Sequence, residues 1–271
     1  MKALGRFFLI LLTGAALTGL QSCQNDDLGI NSLSSNDENS ADLKSAAMNT
    51  FYSSALPVGN GVARAWIKVN KNGDPLEAGI NLSGKALTKL PDEPRQYVLT
   101  LPKKKGQNFY THALLDWNPH GHEPEGIYDL PHFDFHFYIV PSEERMNIPL
   151  LAPPNFDTPP AAEYIPPMYI QLPGLVPEMG AHWVDVTSPE LHGAKFTHTF
   201  IWGSYDGKFI FWEPMVTREY LLSQPDEIFP VKQPSAFQIS GWYPTDYKIS
   251  YSTHPDEYSV TLMNLTYHTG E

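Results

Sequence analysis

The chain has 271 residues, with 30 Asp and Glu against 18 Lys and Arg, a formal charge of −12, and a single cysteine. So acidic a balance argues against nucleic acid as a partner, since phosphates would be repelled, and one cysteine excludes a disulfide within the chain. The fold must therefore rest on its own apolar core, which this length can build as one sizeable β domain or two small ones.

At the amino terminus Lys2 and Arg6 lead into Phe7–Leu20, apolar apart from two threonines and two glycines. The run is too short for a comfortable membrane span and reads as a secretory signal peptide over residues 1–22. Leu20-Gln21-Ser22-Cys23 resembles the lipobox of bacterial lipoproteins, which implies cleavage before Cys23 and lipidation of that residue. The alternative is an ordinary signal followed by an unpaired cysteine. Gln24-Asn25-Asp26-Asp27 resembles the acidic export tag of Bacteroidota surface lipoproteins. That resemblance implies a cell-envelope protein held at the outer membrane through Cys23 and facing outward. Loss of residues 1–22 removes two bases and no acid, leaving a mature charge of −14. Residues 23–50 hold no aromatic side chain and are rich in Ser, Asn and Asp, too polar to offset the entropy of ordering, and are expected to form a flexible tether.

Residues 51–271 are then expected to form a single all-β domain, an antiparallel barrel or sandwich with short helices and a long proline-rich loop. Short β-branched and aromatic runs recur at 62–69, 78–82, 97–101, 109–115, 132–140, 182–186, 196–203, 208–212, 237–239, 247–251 and 258–267. Asn72-Gly73 and Asp206-Gly207 are the strongest hairpin signals. Two short helices are expected, one starting at Ser142 and one capped by Thr217. Between them, Pro149–Pro177 contains nine prolines, and so reads as an irregular flap, either a lid or a stiff insertion.

The segment Trp117–Tyr138 gathers four of the ten histidines and four carboxylates. Its end, Pro131-His132-Phe133-Asp134-Phe135-His136-Phe137-Tyr138, alternates polar with aromatic, so a strand there sets His132, Asp134 and His136 on one face and the phenylalanines on the other. His182 and Glu213, each beside a tryptophan, and His122 in the preceding loop extend the set. Imidazoles with a carboxylate are the usual donors for Zn, Fe, Mn, Ni or Cu where thiolates are lacking. A divalent transition metal is therefore the expected cofactor, with an unmetallated polar network and purely structural hydrogen bonding as the other readings. Neighbours two apart on a strand stand about 6.6–7 Å apart, whereas His132 and His136 would stand about 13 Å apart, so one ion takes at most an adjacent pair. His112, His192, His198, His254 and His268 show no partner pattern and are expected at the surface or satisfied in the core.

Gly121-His122-Glu123-Pro124, Tyr128, the 131–138 strand, Met179-Gly180-x-His182-Trp183 and Glu213-Pro214-Met215 resemble the motifs of a secreted bacterial family of unknown function, the TTHB-like group, over most of residues 57–267. That resemblance implies no activity. Serine-hydrolase, phosphate-loop, zincin and C-x-x-C signatures are missing from the chain. Two functions remain: a metal-dependent exported enzyme with His122, Glu123 or Tyr128 as acid or base, or a non-catalytic module that binds a metal or a small-molecule ligand.

Overall fold

In the computed structural model, residues 49–102, 109–149, 158–174 and 176–271 are described. The signal peptide, Cys23 and most of the tether lie outside these residues, as do 150–157 of the proline-rich segment. The chain opens with β1 (Asn49–Tyr52), β2 (Leu56–Val58), β3 (Gly61–Val69) and β4 (Pro75–Ser83), then β5 (Arg95–Thr100), β6 (His112–Asn118) and β7 (His132–Tyr138). Helix α1 (Ser142–Met146) precedes β8 (Tyr169–Gln171), β9 (Ala181–Asp185), β10 (His198–Tyr205) and β11 (Lys208–Thr217). Helix α2 (Arg218–Leu222) leads to β12 (Asp226–Pro230), β13 (Gly241–Tyr243), β14 (Asp246–Thr253), β15 (Asp256–Met263) and β16 (Thr266–His268).

Every pairing is antiparallel. One seven-stranded sheet runs β1-β3-β4-β15-β14-β12, with β2 beside β3. The other runs β5-β6-β7-β11-β10-β9-β8. Neither closes on itself, so of the two expected architectures the sandwich is correct and the barrel is not. The reason is visible at the rims: β12 and β8 are short strands with no further partner in their sheets.

The alternation in β7 has the expected result. Phe133, Phe135 and Phe137 are wholly buried in the main core, where they join Trp202 and Trp212 of their own sheet and Ile67, Ile80, Ile249 and Val260 of the other. Aromatic burial on this scale contributes more per residue than any other core contact. Asp206-Gly207 makes the β10–β11 turn, with Gly207 at φ 73°, and the β3–β4 turn carries Gly73 at φ 92°. Thr217 caps α2, its hydroxyl accepting from the Tyr220 amide at 3.2 Å. Helix α1 starts at Ser142 as expected, and its capping position is Pro141, with no side-chain bond.

Other expectations shift. The apolar run at 258–267 breaks because Asn264 takes φ 51°, so β15 ends and β16 begins. Residues 237–239 form no strand; Phe237 instead enters the core. Asn49 and Thr50, placed in the tether by composition, pair with Val69 and Lys68. The proline-rich segment is not wholly irregular, since β8 adds to the edge of the second sheet beside β9. Among the described residues no helix is long and apolar enough to cross a membrane.

Candidate metal centre

Five adjacent strands of the second sheet, β6, β7, β11, β10 and β9, build a polar patch on the face turned away from the main core. Antiparallel register does the placing. Asp116 stands opposite Asp134 and Asn118 opposite His132 on β6 and β7. Met215 stands opposite Asp134, and Phe211 opposite Tyr138, so Glu213 faces the same way between them. Gly203 of β10 pairs with His182 of β9 and with Phe211 of β11. A Cβ on Gly203 would lie 1.9 Å from the Phe211 ring, so only glycine admits that ring, which packs edge-on against His136 and His182 at centroid distances of 5.0 and 5.4 Å. Gly180, at φ +86°, turns the chain into β9 against the Ser204 carbonyl and delivers His182.

All six sequence-derived ligands lie on this patch, but as two groups of three. His122, His132 and Asp134 form one, and His136, His182 and Glu213 the other, the candidate donor atoms within each standing no more than 4.8 Å apart. In the first, His132 Nε2 is 3.1 Å from Asp134 Oδ1, and His122 Nε2 is 3.6 Å from Asp134 Oδ2. In the second, His136 Nε2 is 3.4 Å from Glu213 Oε1, and His182 Nε2 is 3.5 Å from Glu213 Oε2. The spacing along β7 explains the division, since His132 and His136 sit too far apart to share one centre.

The remaining imidazole nitrogens are held from behind. Nδ1 of His132 lies 2.7 Å from the Leu130 carbonyl and Nδ1 of His122 lies 2.7 Å from the Glu123 carbonyl. His136 Nδ1 faces Asp116 Oδ2 at 3.2 Å, and His182 has a hydrogen bond to the Gly180 backbone. Asn118 Nδ2 donates to Asp134 Oδ2 at 2.6 Å. Despite burial, His132 Nε2, Asp134 Oδ1, both His136 nitrogens and Glu213 Oε2 make no hydrogen bond.

Proton affinities in the cluster are strongly displaced. Burial alone would lower His122 and His136, but Asp134 for the first, and Glu213 with Asp116 for the second, outweigh it and raise each to about 9. Burial pushes Glu213 up to about 8 against the pull of His136, with Asp134 and Asp116 adding to the rise. His182 falls to about 3 through burial and the neighbouring imidazoles His136 and His122. Asp134 is opposed by burial, yet His132 and His122 hold it well below the ordinary carboxylate range.

Above the patch lies a cavity of about 680 Å³, open to solvent. Asp116, His122, Asp134, His182 and Glu213 meet it from below, while Leu172, Pro173, Val176, Pro177 and Met179 form an apolar wall. The proline-rich segment thus supplies part of the site's wall. Tyr128 also faces the cavity, its hydroxyl 3.5 Å from the buried Glu190, and burial and Glu190 raise its pKa.

Sequence reasoning missed Asp116, Asn118 and Glu190. The first two carry a readable signal, because His112-Ala-Leu-Leu-Asp-Trp-Asn alternates in step with β7. The third does not, since Glu190 reaches Tyr128 across 62 residues. Of the unpartnered histidines, His198 Nδ1 meets the Tyr247 hydroxyl at 2.8 Å, His192 Nε2 meets the Val186 carbonyl at 2.8 Å, and His254 is exposed. His112 is buried at the end of the patch, stacked on Tyr138 at 4.7 Å.

A model of the TTHB210-like family, described as hypothetical protein TTHB210, matches residues 70–117. The family resemblance read from the sequence is thus borne out over that span, which runs from the β3–β4 turn to Trp117 in β6 and includes Asp116. No curated protein and no solved structure matches the chain.

Proposed function

We propose that this domain holds a divalent transition-metal ion at His136, His182 and Glu213 and acts as a metal-dependent enzyme on a small molecule taken into the cavity. One observation carries the reading: four Nε2 atoms face carboxylate oxygens at 3.1–3.6 Å. Nδ1 of His122 and of His132 is engaged by a backbone carbonyl, so Nε2 is the nitrogen each of these rings turns to its carboxylate. A proton between them would draw the pair to about 2.7–2.9 Å. Donors around one ion, at bonds of about 2.0–2.2 Å and angles of about 90–110°, stand roughly 3.0–3.5 Å apart. Three of the four separations, at 3.1, 3.4 and 3.5 Å, fall in that range, and the His122–Asp134 separation of 3.6 Å lies just beyond it.

Asp116 behind His136 is the carboxylate that orients a ligating imidazole and raises its basicity. Three protein donors leave a coordination position towards the cavity, which favours catalysis over a closed structural site. There the ion would lower the pKa of bound water or polarise a substrate oxygen. The Tyr128 hydroxyl, kept protonated, stands where it can donate to a bound molecule, and the wall of Leu172, Val176 and Met179 takes the substrate's apolar part. The test is elemental analysis of the purified protein after loading with Zn, Mn, Fe, Ni or Cu, with and without chelator. Wild type should retain ion and melt higher with it; Glu213→Ala should lose the ion held with His136 and His182 and the rise in melting that ion brings, and His254→Ala should match wild type. A wild type that stays metal-free with unchanged melting sinks the reading and leaves a protonated His/carboxylate network in its place.

We infer from the leader motifs an exported protein anchored at the outer membrane by acyl chains on Cys23. Each buried CH₂ contributes about 0.8 kcal/mol, so several chains suffice for stable anchoring. Wild type is expected in the membrane fraction and Cys23→Ala in a soluble or unprocessed form; wild type recovered mainly as soluble periplasmic protein would overturn the anchor.

A further inference from the structure

Resting on the metal reading above, we propose that His122, His132 and Asp134 hold a second divalent transition-metal ion beside the first, so that β7 divides a two-ion centre between Asp134 and His136. The triads share no residue, and each repeats the same construction: two imidazoles whose Nε2 atoms converge on one carboxylate within 4.8 Å. In this triad both Nδ1 atoms are fixed by backbone carbonyls, at 2.7 Å each, so both rings are committed to offering Nε2. Asn118 occupies Asp134 Oδ2 and leaves Oδ1 unpartnered opposite His132 Nε2, which is itself buried without a hydrogen bond.

A single ion cannot serve both groups, because one strand carries His132 and His136 four residues apart. Charge points the same way. Asp116, Asp134 and Glu213 are all buried on one face, and Asp116 and Asp134 are direct cross-strand neighbours. Like charges in that position repel. No Lys or Arg is among the described residues lining the cavity. One divalent ion leaves one of the three carboxylate charges unmet, whereas a second meets it with one positive charge to spare. His122 lines the cavity, so this second ion would also keep an open side for substrate.

The experiment is equilibrium dialysis of ion-free full-length protein against Zn²⁺, followed by elemental analysis. Wild type should bind two ions per chain, His132→Ala one, His182→Ala one, and the double variant none. His122→Ala, in a loop and partly exposed, repeats the His132→Ala result should that variant fail to fold. One ion in wild type that is still present in both His132→Ala and His122→Ala would overturn the second site and leave the first intact. No ion in wild type would overturn both.

Discussion

Asp134→Ala is expected to lower the melting temperature of the ion-free protein by roughly 10 °C at neutral pH. Asp134 is buried on β7, its oxygens facing His132, His122 and Asn118. Removing it strands His132, which is wholly buried, together with the Asn118 amide. Breaking a buried charged pair from one side costs about 3–5 kcal/mol, and a domain of this size loses about 2–4 °C per kcal/mol. The sign with pH follows from its depressed pKa. A carboxylate held below its unfolded value stabilises the fold above that value and loses the effect as pH falls through the native one. The gap between variant and wild type should therefore close in strong acid. Calorimetry in chelator checks this, with exposed His254→Ala as reference. Melting of Asp134→Ala within 2 °C of wild type at pH 7 would mean that Asp134 is not the electrostatic anchor of this patch.

The second expected result is a pH dependence that reverses when the ion is supplied. Without ion, the native protein holds protons on His122 and His136 up to about 9 and on Glu213 up to about 8. These pKa values are raised above their unfolded values. The stability they contribute is fully present below about 6.5 for the imidazoles and below about 4.5 for Glu213, and is lost as pH climbs through the native values. Melting in chelator should fall between pH 7 and pH 9. An ion must displace the same protons, so its affinity should rise over neutral pH by about tenfold per proton released for each pH unit, and up to about a hundredfold where His136 and Glu213 both give one up. Competition with a calibrated Zn²⁺ chelator at pH 6, 7 and 8 measures the slope. A Zn²⁺ affinity independent of pH across that range would show that these groups are not the ligands.

Much of the site could be read along the chain because the side-chain period of a strand is two. The alternation His132-Phe133-Asp134-Phe135-His136 sent the aromatics to the core and the polar residues to the opposite face, and the structure agrees. The fixed rise per residue also separated His132 from His136 before any pairing was known. What could not be read was partnership. Asp116 looks like an isolated acid in an apolar run until β6 pairs with β7 and sets it opposite Asp134. Glu190 reaches Tyr128, and Leu172, Val176 and Met179 reach the cavity, only through the way the chain returns, for which local sequence holds no signal.

The sequence by itself determined the class of the fold, the inward and outward faces of β7, the hairpin at Asp206-Gly207 and the six residues of the patch, because each depends on backbone period, turn chemistry or side-chain type. Tertiary structure alone decided that the sheets stay open as a sandwich, that the six residues fall into two triads, and that Asp116 and Asn118 support them. Those outcomes depend on strand order and register, which are set by long-range packing of the two sheets around Phe133, Phe135, Phe137, Trp202 and Trp212.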